Sequence, residues 1–282
     1  MTYKDIYVHV DATAHSDSRV ALAAELAQRH DAHLTGIYVI EPDATDPLLS
    51  TGASYGNAPT VEASAAIKSR ALAVHADKHF RECLAQSGIS GRMVQLSGLP
   101  EDIVPLRARY ADLLIAGQSN PDDPLDFGSR VASRAVVTSG RPALVVPYAG
   151  HFDSIATNIV VAWNDSRESA RTLNDAMPLL ATADKVTVLS VNPPEDRVVD
   201  RHMGGAIDIA LHLSRHGVNA EAARIDVREV AVGDTLLNRA FDLGADLLVS
   251  GAYGHSQLRE LILGGVTRDL FDHMTVPVFM SH

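Results

Sequence analysis

Short, uninterrupted apolar runs alternate along the chain with longer stretches of helical spacing. Ile6–Val10 is apolar and β-rich and ends at Asp11, and Leu34–Ile40 is a second such run. Between them, Val20, Leu22, Ala23, Leu26 and Ala27 recur at the spacing of a helix over Ser16–His30. The pattern then predicts a helix over Val61–Ser87 with Gly88 as its stop, a strand at Met93–Leu96, and a helix over Pro100–Tyr110. A strand at Asp112–Ala116, a helix over Ser129–Ser139 and a strand at Ala143–Pro147 follow. After a short join at 150–154 the same order returns. Strands are predicted at Ile159–Trp163, Val186–Val191, Ala223–Val230, Leu247–Ser250 and Val276–Met280. Helices are predicted from about Ser166 to Leu180, and over Arg201–His216, Thr235–Leu243 and Val266–His273. Apolar runs with helices between them indicate a parallel sheet covered on both faces.

The return is also literal. Residues 111–117 read ADLLIAG and 245–251 read ADLLVSG, while DIYVHVDAT from Asp5 is echoed by NIVVAWNDS from Asn158. Self-similarity in a fixed order means two copies of one supersecondary unit, so function is sought copy by copy. With 282 residues, the expected division is 1–150 and 151–282. One interruption stands out: residues 41–60 hold Pro42, Pro47, Gly52, Gly56 and Pro59 among Ser and Thr, a loop long enough to serve as a lid.

Composition narrows the partners. A hydrophobic content of 46% with 21% charged residues is that of a core-forming protein, and a net charge of −11 disfavours nucleic acid and anionic membrane. The chain has no long apolar run that would span a bilayer, and its first residues are not expected to act as a signal peptide. The one cysteine, Cys83, forms no intrachain disulfide, which fits a reducing, cytoplasmic location.

In an open α/β sheet, ligands sit beyond the carboxyl ends of the strands where the strand order reverses. Asp11 and Gly117 in the first copy, and Asn164 and Gly251 in the second, stand at such ends. Beyond Gly251, the second copy continues Gly251-Ala252-Tyr253-Gly254, then nine residues, then Gly264-Gly265-Val266-Thr267. Glycines let a ligand approach the backbone, and the first N–H groups of the following helix favour an anion. The pattern is neither the GxxxxGK[ST] of a Walker-type NTPase nor the GxGxxG of a dinucleotide dehydrogenase.

These features resemble the universal stress protein family in its tandem, two-domain form, and the resemblance runs over nearly the whole chain. It implies two tandem Rossmann-like domains of the adenine nucleotide alpha hydrolase type, each a five-stranded parallel sheet with helices on both faces. In that family the G-x2-G-x9-G-[S/T] loop holds the phosphates of ATP, an Asp after the first strand holds the nucleoside, and a residue ending the second strand meets adenine by its backbone. Carried onto this chain, the resemblance implies ATP, ADP or AMP in the second copy, with Mg²⁺ as an optional companion. Asn164 would face the nucleoside, Val191 the adenine, and Gly251, Gly254, Gly264, Gly265, Val266 and Thr267 the phosphates. Two positions depart from the family. Asn164 replaces the Asp but keeps a carbonyl acceptor, and Gly265 stands where a hydroxyl is usual, with Thr267 as a substitute. The first copy keeps Asp11, with Val39 at the strand-two position, but its loop reads Gly117-Gln118-Ser119-Asn120, seven residues, Gly128-Ser129. Asp122, Asp123 and Asp126 would repel phosphate there, so one working and one degraded pocket are expected.

The expected role is a stress-response sensor or regulator, with ATP hydrolysis slow at most, since no residue is placed as a general base. Two rivals remain: a nucleotide-free scaffold, and an enzyme or cation site built from Asp11 and Asp122–Asp126. The copies are expected to pack as an intrachain pseudo-dimer, with further homodimerisation left open. Asp208, His212 and His216 lie at i, i+4, i+8, a spacing that is read as a solvated helix face in the absence of an H-E-x-x-H motif. His9 is expected to be a satisfied core histidine, and Cys83 and Trp163 to pack.

Overall fold

The computed structural model describes residues 2–40, 59–123, 126, 128–192, 205–227, 230–252 and 265–282. The first half runs β1 (Asp5–Val10), α1 (Ser16–His30), β2 (His33–Ile40), α2 (Pro59–Ser87), β3 (Gly91–Ser97), α3 (Pro100–Ala108), β4 (Leu113–Gly117), α4 (Gly128–Thr138) and β5 (Ala143–Val146). The second repeats it: β6 (Asn158–Ala162), α5 (Arg167–Leu180), β7 (Lys185–Val191), α6 (Gly205–Arg215), β8 (Ala220–Ile225), α7 (Val232–Asp242), β9 (Leu247–Gly251), α8 (Gly265–His273) and β10 (Val278–Ser281).

All ten strands form one sheet, in the order β3-β2-β1-β4-β5-β10-β9-β6-β7-β8. Within each half every pairing is parallel, as the apolar runs predict. The join is antiparallel: β10 lies on β5 with Val278 opposite Val145, Phe279 opposite Leu144 and Met280 opposite Ala143. The copies are therefore an intrachain pseudo-dimer that shares a sheet, and their strands run in opposite directions. The crevices beyond the strand ends consequently open at opposite edges of that sheet.

One hydrophobic layer packs α1, α2, α5 and α6 against a face of the sheet, and a second packs α3, α4, α7 and α8 against the other. Central strands are buried, β4 throughout and β6 in all but its end residues, while the outermost, β3 and β8, are half-exposed. That exposure explains why β8 is displaced from its expected span, Ala223–Val230. An edge strand packs on fewer neighbours, so its apolar signal is weak, and pairing with Val186–Val191 sets its register instead. Further contacts tie the halves: the Tyr3 hydroxyl donates to the Asp175 carbonyl at 2.7 Å, Arg29 to the Ile155 carbonyl at 2.8 Å, and the buried Gln118 amide to the Phe271 carbonyl at 2.8 Å. No described helix is long and apolar enough to cross a membrane.

Candidate functional site

In each half the strand order reverses between the first strand and the fourth, β1/β4 and β6/β9. Both reversals carry the same local turn. At β1 the Asp11 Oδ1 accepts from the Thr13 backbone N–H at 3.0 Å and its hydroxyl at 2.5 Å. At β6 the Asn164 Oδ1 accepts from the Ser166 N–H at 3.2 Å and its hydroxyl at 2.7 Å. A short polar side chain bonding two residues ahead is what turns the chain from strand into helix. Ser166 then caps α5 by accepting the Ser169 N–H at 3.1 Å, as the sequence predicts.

The turns differ in what remains for a ligand. Asn164 is exposed, and the carbonyl oxygen expected to meet a nucleoside is engaged by Ser166; the rest of its amide is a donor. Beside it Trp163 is buried in the core, as expected, and its indole N–H donates to Asp165 at 2.7 Å. Val191 ends β7 half-buried, paired with Ile225 on β8. Gly251 ends β9, where a Cβ would lie 2.7 Å from the Ser169 nitrogen and 2.8 Å from the Glu168 carbonyl carbon. The first turn of α5 thus requires glycine there for packing alone. Gly265 heads α8 in an exposed position, and among the described residues nothing lies within 4 Å of where its Cβ would stand. Val266 is half-buried, and Thr267 is buried on the inner face of α8. Gly254 and Gly264 lie outside the described residues, as does most of the lid-like segment, 41–58.

The first copy is assembled differently, around Arg19, which the sequence reading did not single out. Arg19, buried to 3% exposure, extends from α1 across the end of the sheet. Its Nε donates to the His9 carbonyl at 2.8 Å and its Nη2 to the Asp11 carboxylate at 2.6 Å, while Nη1 lies where a Gly117 side chain would be. Burial pushes the Asp11 carboxyl up, but Arg19, His9 and Thr13 outweigh it and hold its pKa down at about 2. His9 is buried as expected but is not satisfied: its Nδ1 has no hydrogen-bond partner and stands 3.6 Å from Asp11. Burial lowers its pKa to about 4, so the ring is neutral at physiological pH.

The first-copy glycine loop is closed upon itself. The Asp126 carboxylate accepts the Asn120 N–H at 2.8 Å through one oxygen and the Gly128 N–H at 2.9 Å through the other. Ser119 and Ser129 exchange backbone N–H to hydroxyl bonds, each 2.8 Å. Among the described residues no group of three His, Cys, Asp or Glu side chains converges as a metal ion would require. His212 and His216 stack edge to face at 4.8 Å, and Cys83 is half-buried beside His79.

Comparison with known proteins adds the lineage. No curated protein matches the chain. A universal stress protein from Archaeoglobus fulgidus DSM 4304 superposes with a TM-score of 0.72 at 13% identity, covering 98% of this chain and 95% of that one. A functionally unknown protein from Pseudomonas aeruginosa PAO1 gives 0.57 at 15%, covering 99% and 92%. A universal stress protein solved in complex with cAMP spans 52% of this chain and 98% of its own, with a TM-score of 0.39 and 21% identity. At these identities the likeness is one of fold. The model of the universal stress protein family matches twice, over residues 2–147 and 156–282. With both halves so matched, the chain belongs to the universal stress protein family, in its tandem two-domain form.

Proposed function

We propose that the C-terminal half binds an adenine nucleotide, ATP or its products ADP and AMP, with Mg²⁺ as an optional companion, and that the protein serves as a stress-response sensor or regulator. The observation that carries this reading is the contrast between the helices that follow β4 and β9. In the first half the leading N–H groups of α4 are taken by Asp126 and Ser119, whereas Gly265 heads α8 with open space among the described residues. The N–H groups and the partial positive charge of a helix start favour phosphate. Family membership supports the same assignment, with Asn164 and Val191 toward the nucleoside and Gly251, Gly254, Gly264, Gly265, Val266 and Thr267 along the phosphates.

A second reading, a nucleotide-free scaffold, is favoured by one observation: the Asn164 carbonyl is already engaged by Ser166, so a ribose would meet a donor where a carboxylate would accept.

Calorimetric titration of ATP with Mg²⁺ into the full chain separates the two. The expected result is one nucleotide per chain, loss of binding in Gly265→Asp, and tighter binding in Asn164→Asp by about tenfold, the worth of a charge-assisted hydrogen bond. Neither substitution touches a packed position. Absence of binding at millimolar ATP would leave the scaffold.

A further inference from the structure

We propose that the N-terminal half is closed to nucleotide by two of its own side chains, which act as a built-in ligand. Arg19 fills the nucleoside end of the crevice and Asp126 fills the phosphate end. The inference rests on the family reading of the fold but not on whether the C-terminal half takes nucleotide.

Two independent observations support it. At the phosphate end, Asp126 is 9% exposed and offers an anion in a place where backbone N–H groups converge. One carboxylate oxygen takes the loop donor, Asn120, and the other takes the helix donor, Gly128. A phosphate resting on this loop would need those donors. The charge of Asp126 therefore does more than repel phosphate: the carboxylate holds the place phosphate would take. At the nucleoside end, Asp11 keeps the acidic identity typical of the family, yet its Oδ2 is bound by Arg19 and its Oδ1 by Thr13. The same guanidinium lies against Gly117, where the strand end would otherwise be bare. The corresponding place in the second half, eight residues after Asn164, is Thr172, whose short, uncharged side chain bonds the Glu168 carbonyl at 2.8 Å and the Ser281 backbone at the end of β10 at 3.2 Å.

The two plugs act on different parts of a ligand, which makes them separable. Titrations would use the full chain carrying Gly265→Asp, so that any binding belongs to the N-terminal half. Inorganic triphosphate probes the phosphate end alone, and ATP probes both ends. The parent is expected to bind neither. Asp126→Gly is expected to bind triphosphate, at least about tenfold more tightly than any residual affinity of the parent, through the loss of one competing charge-assisted contact. Arg19→Thr combined with Asp126→Gly is expected to bind ATP as well. Triphosphate should also raise the melting temperature of Asp126→Gly and leave that of the parent unchanged. Since Arg19→Thr strips Asp11 of its counter-ion and can cost the fold, the Asp126→Gly arm decides alone if the double variant does not fold.

Three results would overturn the proposal. One is nucleotide or triphosphate binding by the parent. Another is a folded Asp126→Gly chain with no gain for triphosphate. The third is an equal gain in Asp122→Asn, an exposed acid of the same loop, which would show that general charge and not the seated carboxylate excludes the ligand.

Discussion

Asp11, Arg19 and His9 show how one buried cluster ties stability to pH. His9 has an ordinary value of 6.5 and is held at about 4 in the fold. A base whose folded value is depressed is protonated first in the unfolded chain, so its contribution is complete above 6.5 and declines as pH falls toward 4. The full effect is about 3 kcal/mol. Asp11 extends the loss: with 3.8 as its ordinary value and about 2 in the fold, its contribution is present above 3.8 and vanishes as pH falls to 2. Urea unfolding between pH 7 and 4.5 is expected to show this decline. His9→Ala, which introduces the residue that stands at Ala162 in the second half, should flatten it; an unchanged slope would remove His9 as its source. Gly251 gives a sterically controlled prediction. Gly251→Ala forces a Cβ onto the backbone of α5 and is expected to cost about 2 kcal/mol, a fall in melting temperature of about 5 °C. Much of this was hidden in the sequence for a specific reason. Arg19 reads as one polar residue within a helical stretch, and nothing local says that its side chain meets Gly117, nearly a hundred residues on. Asp126 reads as a negative charge, while the pair of N–H donors that it bridges exists only once the loop has folded. The engagement of Asn164 was accessible, because an Asn followed two residues later by Ser is a known turn chemistry.

At the scale of elements, the repeat was legible because buried parallel strands have to be continuous apolar runs. β1, β4, β6 and β9 fall where ADLL-x-x-G and the two opening segments place them. The edge strands were read least well, since half-exposed positions dilute the pattern and partner register decides their ends. Helix starts followed capping chemistry where a cap exists. Ser166→Ala should remove the α5 cap and cost about 1 kcal/mol, measured by chemical denaturation. A variant as stable as the parent would show that the Asn164 turn holds the helix start without the serine.

For the whole molecule, the antiparallel seam between β5 and β10 is the feature the repeat pattern could not supply. Two copies of a unit predict two sheets, but which edges meet depends on side chains from distant parts of the chain. Phe279 is fully buried within that seam, and Gln118, which opens the sealed loop directly after β4, bonds to α8 across it. A backbone cut in the exposed join at 150–154 is therefore expected to leave the halves bound, eluting together from a sizing column under native conditions. Separate elution would mean that the covalent link, and not the seam, holds them.

That link also changes what mutation can do. In an assembly of two identical subunits every substitution is expressed in both pockets, so a side chain that plugs one plugs the other. Here the two copies are written separately in a single chain. Asp126 and Arg19 can seal one crevice while, among the described residues, Gly265 and Thr172 place no charged side chain in the other, and the sealed copy still supplies half of the shared sheet. Fusion has turned a symmetric partner into a fixed structural support, free to lose its ligand without the protein losing its fold.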